Sequence, residues 1–346
     1  MDFMKKLTKR REFSSIIFLI VLYVIVGSVN PKFLESDNIM LCLNGATVFT
    51  LCAIGMAFVI YTGEIDASIG ATLGLSAAVV ATILKNGGSL SFAVLAAICI
   101  GLIIGIINGV GVAILKVPSI IMTIGMMGII RGFSYVYTNG QWVENVPSSF
   151  KALSQKGVEG LSWLYISAII IMIATNFYLM KTKRGHYFQA VGDNEDGAIH
   201  IGIPVNATKM ISFILSSVFA SIASIIFVSR IGIVTPTSGS GYEMQAIAAC
   251  VIGGISLSGG IGNMIGATVG ALIMASISRI LVFIGLSSNY NNTITGILLI
   301  SIVVIDAMIQ NHNIKKARRQ RLVARTEIIA EVKGKEETRN EAYIEK

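Results

Sequence analysis

Charge is what this sequence has least of. Only 13% of its 346 residues are Asp, Glu, Lys or Arg, too few to coat a soluble domain of this length with a hydrated surface. Histidine is almost as sparse. His186, His200 and His312 stand apart in polar segments and do not suggest a metal site. The four cysteines, Cys42, Cys52, Cys99 and Cys250, all fall inside apolar stretches. None has the paired spacing of a zinc site and none lies in a polar exported loop, so they read as small packing residues. Proline is low at 5 residues. No G-x-x-x-x-G-K-[ST] phosphate loop is present, which excludes ATP binding of that kind. No nucleophile stands paired with a base, so the chain does not read as an enzyme and calls for no cofactor.

What is abundant is apolar: 54% of residues are hydrophobic and the mean hydropathy is +0.75. The uninterrupted stretches exceed the roughly 18 residues that separate a membrane span from a buried core helix. Ten candidate spans result: Phe13–Val29, Ile39–Tyr61, Ala67–Leu84, Leu90–Leu115, Ser119–Tyr137, Trp163–Met180, Ala207–Val228, Met244–Ile255, Met264–Ile284 and Thr293–Ile309. The fold class is an all-α, polytopic membrane protein. The eighth span is short and runs into glycines, so residues 244–263 are expected to be broken or re-entrant. Glycine, at 35 residues, suits membrane helices whose backbones approach closely.

The net charge of +8 could suggest nucleic acid, but the cations cluster at membrane edges without aromatic interleaving. Orientation signals and lipid headgroup contact are the better reading. With the basic start (Lys5, Lys6, Lys9, Arg10, Arg11) inside, alternate crossings place Lys116, then Lys181, Lys183 and Arg184, then Lys315, Lys316, Arg318, Arg319 and Arg321 inside as well. Loops left outside carry scattered cations such as Lys32, Lys85, Lys151, Lys156 and Arg230. Both termini are therefore expected in the cytoplasm. No clear A-x-A-type site follows the first span, which is read as uncleaved. The organisation expected is a short N-terminus (1–12), a membrane domain (13–310) and a solvated charged tail (311–346).

Two loops are long. Residues 138–162, outside, contain Trp142 and Pro147 and are either a docking surface or a connector. Residues 181–205, inside, contain a short helix signal. Asp193 or Asn194 can cap it, Glu195 and Asp196 occupy the first turn, Ala198, Ile199 and Ile201 follow, and Gly202 can end it. Such a helix is either a surface connector or a point that receives force from a soluble motor. One echo is visible: Ile69-Gly70-Ala71-Thr72-Leu73-Gly74 recurs as Ile265-Gly266-Ala267-Thr268-Val269-Gly270, each after a glycine-containing polar break. Transporter folds often contain repeats.

Ionisable residues in or beside the spans are few: Glu64, Asp66, Arg131, Lys209, Glu243, Arg279 and Asp306. Charges at such depth face a bundle interior, a polar cavity or the interface. Lys209 is expected to snorkel and Asp306 to make a helix-end or interhelical contact. Arg131 and Arg279 either line a polar path or pair structurally. Glu64, Asp66, Arg131, Glu243 and Arg279 are the translocation-pathway candidates.

Four segments in register resemble the permease subunits of bacterial ABC importers of the ribose and simple-sugar type. Gly63-Glu64-Ile65-Asp66-Ala67-Ser68-Ile69-Gly70 is similar to that family's G-G-I-D-L-S-V-G signature. Met122–Trp142, with Arg131-Gly132 and Asn139-Gly140-Gln141, follows. Arg184–Glu195 resembles its cytoplasmic coupling segment. Gly241-Tyr242-Glu243, Ala246–Ala249, Val251–Gly254 and Ser256–Gly260 match its most distinctive stretch. The resemblance spans the membrane region and excludes the tail. There are departures: Glu64 replaces the second glycine and Ala67 the leucine, Met244-Gln245 stands where Leu-Asp is common, and Ser278-Arg279 where small or amide residues are usual.

The resemblance implies a division of labour. Two permease subunits form the pathway, cytosolic ABC ATPases drive it, and an external substrate-binding protein delivers a simple sugar. Asp193, Asn194, Glu195 and Ala198 would then be the ATPase-coupling residues, and the missing phosphate loop is expected. Relatives handle nucleosides or sugar-like signalling molecules too. An ion-gradient-driven carrier and a signalling or assembly membrane protein are the alternatives from other classes.

Overall fold

The computed structural model describes residues 11–301, 303, 304 and 308. The basic residues before Arg11, Asp306, His312 and the charged tail lie outside the described residues. The apolar stretches form helices α1 (Arg11–Val29), α2 (Ser36–Tyr61), α3 (Ile69–Lys85), α4 (Leu90–Gly109, continued by a π-turn over Val110–Ile114), α5 (Ser119–Thr138) and α6 (Trp163–Lys181). Two short helices follow, α7 (Lys183–Asp193) and α8 (Glu195–His200). They lead into α9 (Val205–Ile231), α10 (Tyr242–Ile252) and α11 (Met264–Phe283). Residues 291–299 are helical too. Residues 300, 301, 303, 304 and 308, in a second compact unit, are also helical. A two-stranded ribbon, β1 (Gly157–Val158) and β2 (Leu161–Ser162), closes the long loop before α6.

Six of these helices are long and apolar enough to cross a membrane: α2, α4 with its π-turn, α5, α6, α9 and α11. Burial sorts them. In α2, 78% of the most apolar window is inside the protein, against 17% in α6. Helix α2 is thus the central post, and α6 turns most of its apolar surface outward, as lipid contact allows. Helix α9 packs along α2, α3 and α4. Its buried face carries Ser212, Ser216, Ser217, Ser221 and Ser224. Serines there let backbones approach closely: a Cβ on Gly101 or Gly105 of α4 would strike the α9 backbone.

Two crossings are not simple helices. After α2 stops at Tyr61, Gly63 turns the chain at φ +78°, a conformation glycine adopts without strain. Residues 64–68 then run back into the bundle unwound. Their amides are satisfied by side chains, as backbone out of reach of water requires. Ser119 Oγ accepts from Ile65 N at 3.3 Å, Thr123 Oγ1 from Ala67 N at 3.0 Å, and Asp66 Oδ1 from Ser68 N at 2.9 Å. Helix α3 starts inside this framework.

The second irregular crossing begins where Gly232 ends α9 in the left-handed conformation. Val234 exchanges both backbone hydrogen bonds with Val143 of the long loop, at 2.8 and 3.0 Å. Residues 235–241 then descend to α10. That helix has 11 residues, about 16 Å at 1.5 Å per residue, half of a hydrocarbon core about 30 Å thick. The expected break over residues 244–263 is therefore present, and it extends upstream: unwound chain on both sides of α10 completes the crossing.

The sequence echo has a structural meaning. Its two copies open α3 and α11, and both press on the same irregular crossing. Gly70 and Gly74 lie against Gly239 and Ser238 on the approach to α10. Gly270 and Gly266 lie against Ala249 and Gly253 at its end. A Cβ at any of the four would collide with a backbone carbonyl, so neither partner can yield by rotating a side chain. Gly74→Val and Gly270→Val are expected to abolish a monodisperse, detergent-solubilised protein. Gly125→Ala and Gly128→Ala on α5, where a Cβ meets nothing within 4 Å, should leave it intact. Size-exclusion chromatography of the four variants checks this.

Candidate functional site

The unwound segment after α2 carries the most buried carboxylate. Asp66 has no exposed surface. Its Oδ1 accepts from Ser68 Oγ at 2.6 Å, beyond the amide of the same residue, and its Oδ2 accepts from Ser216 Oγ of α9 at 2.7 Å. Ser68 Oγ also accepts from Asn108 Nδ2 of α4 at 2.9 Å. Carboxylate, hydroxyls and amide together fasten the head of α3 to α4 and α9. A carboxylate at a helix N-terminus also faces the favourable end of the helix dipole. Asp66 is in this arrangement a structural fastening, enclosed on all sides.

The inside loop of the sequence reading folds as two helices. Thr182 Oγ1 caps α7 by accepting from Gly185 N at 3.0 Å, and Asn194 Oδ1 caps α8 by accepting from Gly197 N at 2.9 Å. The short helix at Asn194 with an acidic first turn was legible in the sequence; α7, whose Phe188 packs edge-on to Phe58 of α2 at 5.3 Å, was not. Ala198 is buried with Val191, Ile203 and Val205, which seats α8 on the start of α9. Gly202 follows α8 at φ +79°, one residue past the cap at Ile201.

Three segments meet at this end. Gly260 N donates to Tyr61 O at 3.1 Å, joining the loop after α10 to the end of α2. Gly192, at the end of α7, lies against Tyr61 O and the backbone of Gly259 and Gly260, and Asp193 against Gly260. The α7–α8 junction therefore rests directly on the last residue of α2 and on the loop after α10. Beside it Lys209, only 8% exposed, places Nζ 2.8 Å from Glu64 Oε1 and 2.8 Å from Glu195 Oε2. The expectation that Lys209 snorkels is overturned: two carboxylates from separate segments reach it first. The missed signal was two acids, Glu64 and Glu195, without a nearby cation in the sequence.

The remaining candidates separate. Arg131 Nη1 of α5 donates to Thr237 O and Ser238 O, each at 3.4 Å, while Nη2 has no partner among the described residues. Glu243, in the first turn of α10, accepts from Gly241 N at 3.1 Å through Oε1; its Oε2 is likewise unpartnered and faces Gly70. Arg131 and Glu243 thus flank the descent into α10. Arg279 sits elsewhere, donating to Asn38 Oδ1 at the start of α2 at 3.4 Å.

Comparison with known proteins fits this architecture. The family model described as branched-chain amino acid transport system / permease component matches residues 38–303. The chain belongs to this permease family. Among the permease's relatives is the autoinducer 2 import system permease protein LsrC of Enterobacter sp. (strain 638), 38% identical over 89% of this chain and 90% of its own. The protein of that description from Salmonella paratyphi B is 35% identical over 92% of each chain. The one from Escherichia coli K12 is 35% identical over 92% of this chain and 93% of its own. No solved structure matches the permease.

The Asp66 fastening makes a graded prediction. Asp66→Ala strands the Ser68 and Ser216 hydroxyls in a dry interior and is expected to cost about 3 kcal/mol, whereas Ser216→Ala removes one bond and should cost about 1 kcal/mol. Thermal unfolding of the detergent-solubilised protein, followed by tryptophan fluorescence, should show melting points in that order below the parent.

Proposed function

We propose that this permease is the membrane subunit of an ATP-driven importer whose cargo is autoinducer 2 or a closely related sugar-like signalling molecule. The observation that carries the reading is identity of 35–38% along about nine-tenths of both chains with proteins described as autoinducer 2 import permeases. Identity of that extent covers the pathway-forming helices as well as the loops, so cargo is inherited with fold on this reading.

In this mechanism cytosolic ABC ATPases press on the α7–α8 junction through exposed Asp193 and Asn194 and half-buried Glu195, while Ala198, expected in that surface, is buried and seats α8 on the start of α9. A second permease subunit completes the pathway, and an external binding protein loads it at the opposite face. The N-terminus, the α7–α8 loop and the tail lie in the cytoplasm, as the Lys and Arg distribution favours. Displacement of α8 acts through Gly192 on the end of α2 and on the loop after α10, and Gly259 of that loop lies against Gly63 at the start of the unwound segment 62–68. Two packings of these segments would be the outward-open and inward-open states. Arg131 and Glu243, with polar atoms unpartnered among the described residues beside the descent into α10, are the groups we assign to meet a polyhydroxylated cargo. Glu64 and Asp66 hold the segment that must move, and Arg279 braces α11 against α2.

Cells carrying the permease with its ATPase and binding-protein partners should take up autoinducer 2 in an ATP-dependent manner, and ribose much more slowly. Asn194→Arg together with Asp196→Arg should abolish uptake without changing the amount of permease in the membrane. Uptake driven by an ion gradient in vesicles containing the permease alone would overturn the reading.

A further inference from the structure

Lys209 is the hub of both ion pairs among the described residues, and its two arms differ. The Glu64 side chain is 17% exposed and comes from the unwound segment that leads to Asp66 and α3. The Glu195 side chain is 42% exposed and comes from the first turn of α8. Water and salt screen the second arm far more than the first. A buried ammonium left alone is strongly disfavoured, so an α8 that moves away can surrender its arm only because Glu64 keeps Lys209 compensated. A helix of six residues, seated through Ala198 on Val191, Ile203 and Val205, has little else to hold it. Glu64 itself stands where the family signature carries glycine, and glycine has no side chain to reach Lys209.

We propose that Lys209 is a detachable ionic joint between α8 and the unwound segment 62–68, a positioning residue through which this permease transmits the ATPase stroke. The Glu64 arm stays closed throughout the cycle; the Glu195 arm opens when α8 swings and closes when it returns. With the arm closed, α8 and the root of α3 move as one body, because both are tied to the same ammonium on α9. This rests on the importer reading above and adds to it a residue that neither binds cargo nor touches ATP.

The test is the ATP consumed per molecule imported, measured on the complete importer in proteoliposomes with labelled autoinducer 2 as the probe. Lys209→Met keeps the length of the side chain and removes its charge, and should raise that ratio about tenfold, the weight of one charge-assisted hydrogen bond. Lys209→Arg, which offers donors to both carboxylates, should return it to within about twofold of the parent. Glu195→Gln, exposed enough to fold whatever the fate of the Met variant, should raise the ratio by a smaller factor. An unchanged ratio in Glu195→Gln, or an arginine variant no better than the methionine one, overturns the joint. Failure of the parent complex to import with ATP would instead overturn the importer reading on which the joint rests.

Discussion

Backbone that leaves helical geometry inside a membrane must find every hydrogen bond within the protein, and the rest of this structure is arranged around that demand. Two crossings leave it, one at residues 62–68 and one at residues 232–241 and 253–263 on either side of α10. The first is sewn in by Ser119, Thr123, Ser216 and the carboxylate of Asp66. In the second, Arg131 donates to two carbonyls, and Val143 pairs with Val234. These side chains leave little freedom for the helices that carry them. Helices α5 and α9 stand where residues 62–68 need their hydroxyls, and α4, packed on α3 and α9, brings Asn108 to Ser68.

Glycine does the complementary work. Where side-chain donors cannot be spared, backbone meets backbone: Gly70 and Gly74 on one side of α10's crossing, Gly266 and Gly270 on the other, and Gly192 with Gly259 and Gly260 at the end below. Close packing of this kind holds two elements together in membranes, where the hydrophobic effect contributes nothing to helix association. It also makes the contact all-or-none, since no flexible side chain lies between. A segment held so tightly shifts as a body or not at all.

Much of this was legible from residues alone. Helix positions followed from apolar length, and the start of α8 at Asp193 or Asn194 from short polar residues ahead of two acids, Asn194 being the cap the fold uses. The break beside α10 followed from glycines after a short run. What stayed hidden was hidden for physical reasons. The hydrogen bonds of Asp66 join residues up to 150 positions apart, and no local periodicity encodes such a pairing. Helix α7 buries only Gly185, Phe188 and Val191, a stripe too short to stand out from the polar residues around it. Lys209 near a span end fits snorkelling equally well until the fold brings Glu64 and Glu195 to it. The resemblance drawn from four motifs placed the chain in its family, yet gave no hint that Glu64, noted there as a departure, pairs with Lys209.

The bridge between Val143 and Val234 has one more implication. It ties the long loop before α6 to the strand that feeds α10, and Ser229 Oγ reinforces it by donating to Phe150 O at 2.8 Å. The far end of α10 is gripped, through Gly260 and Tyr61, at the platform beneath α7. A single half-length helix is therefore a lever with a handle at each face of the molecule. On the importer reading, movement at one handle would reach the other along α10 itself.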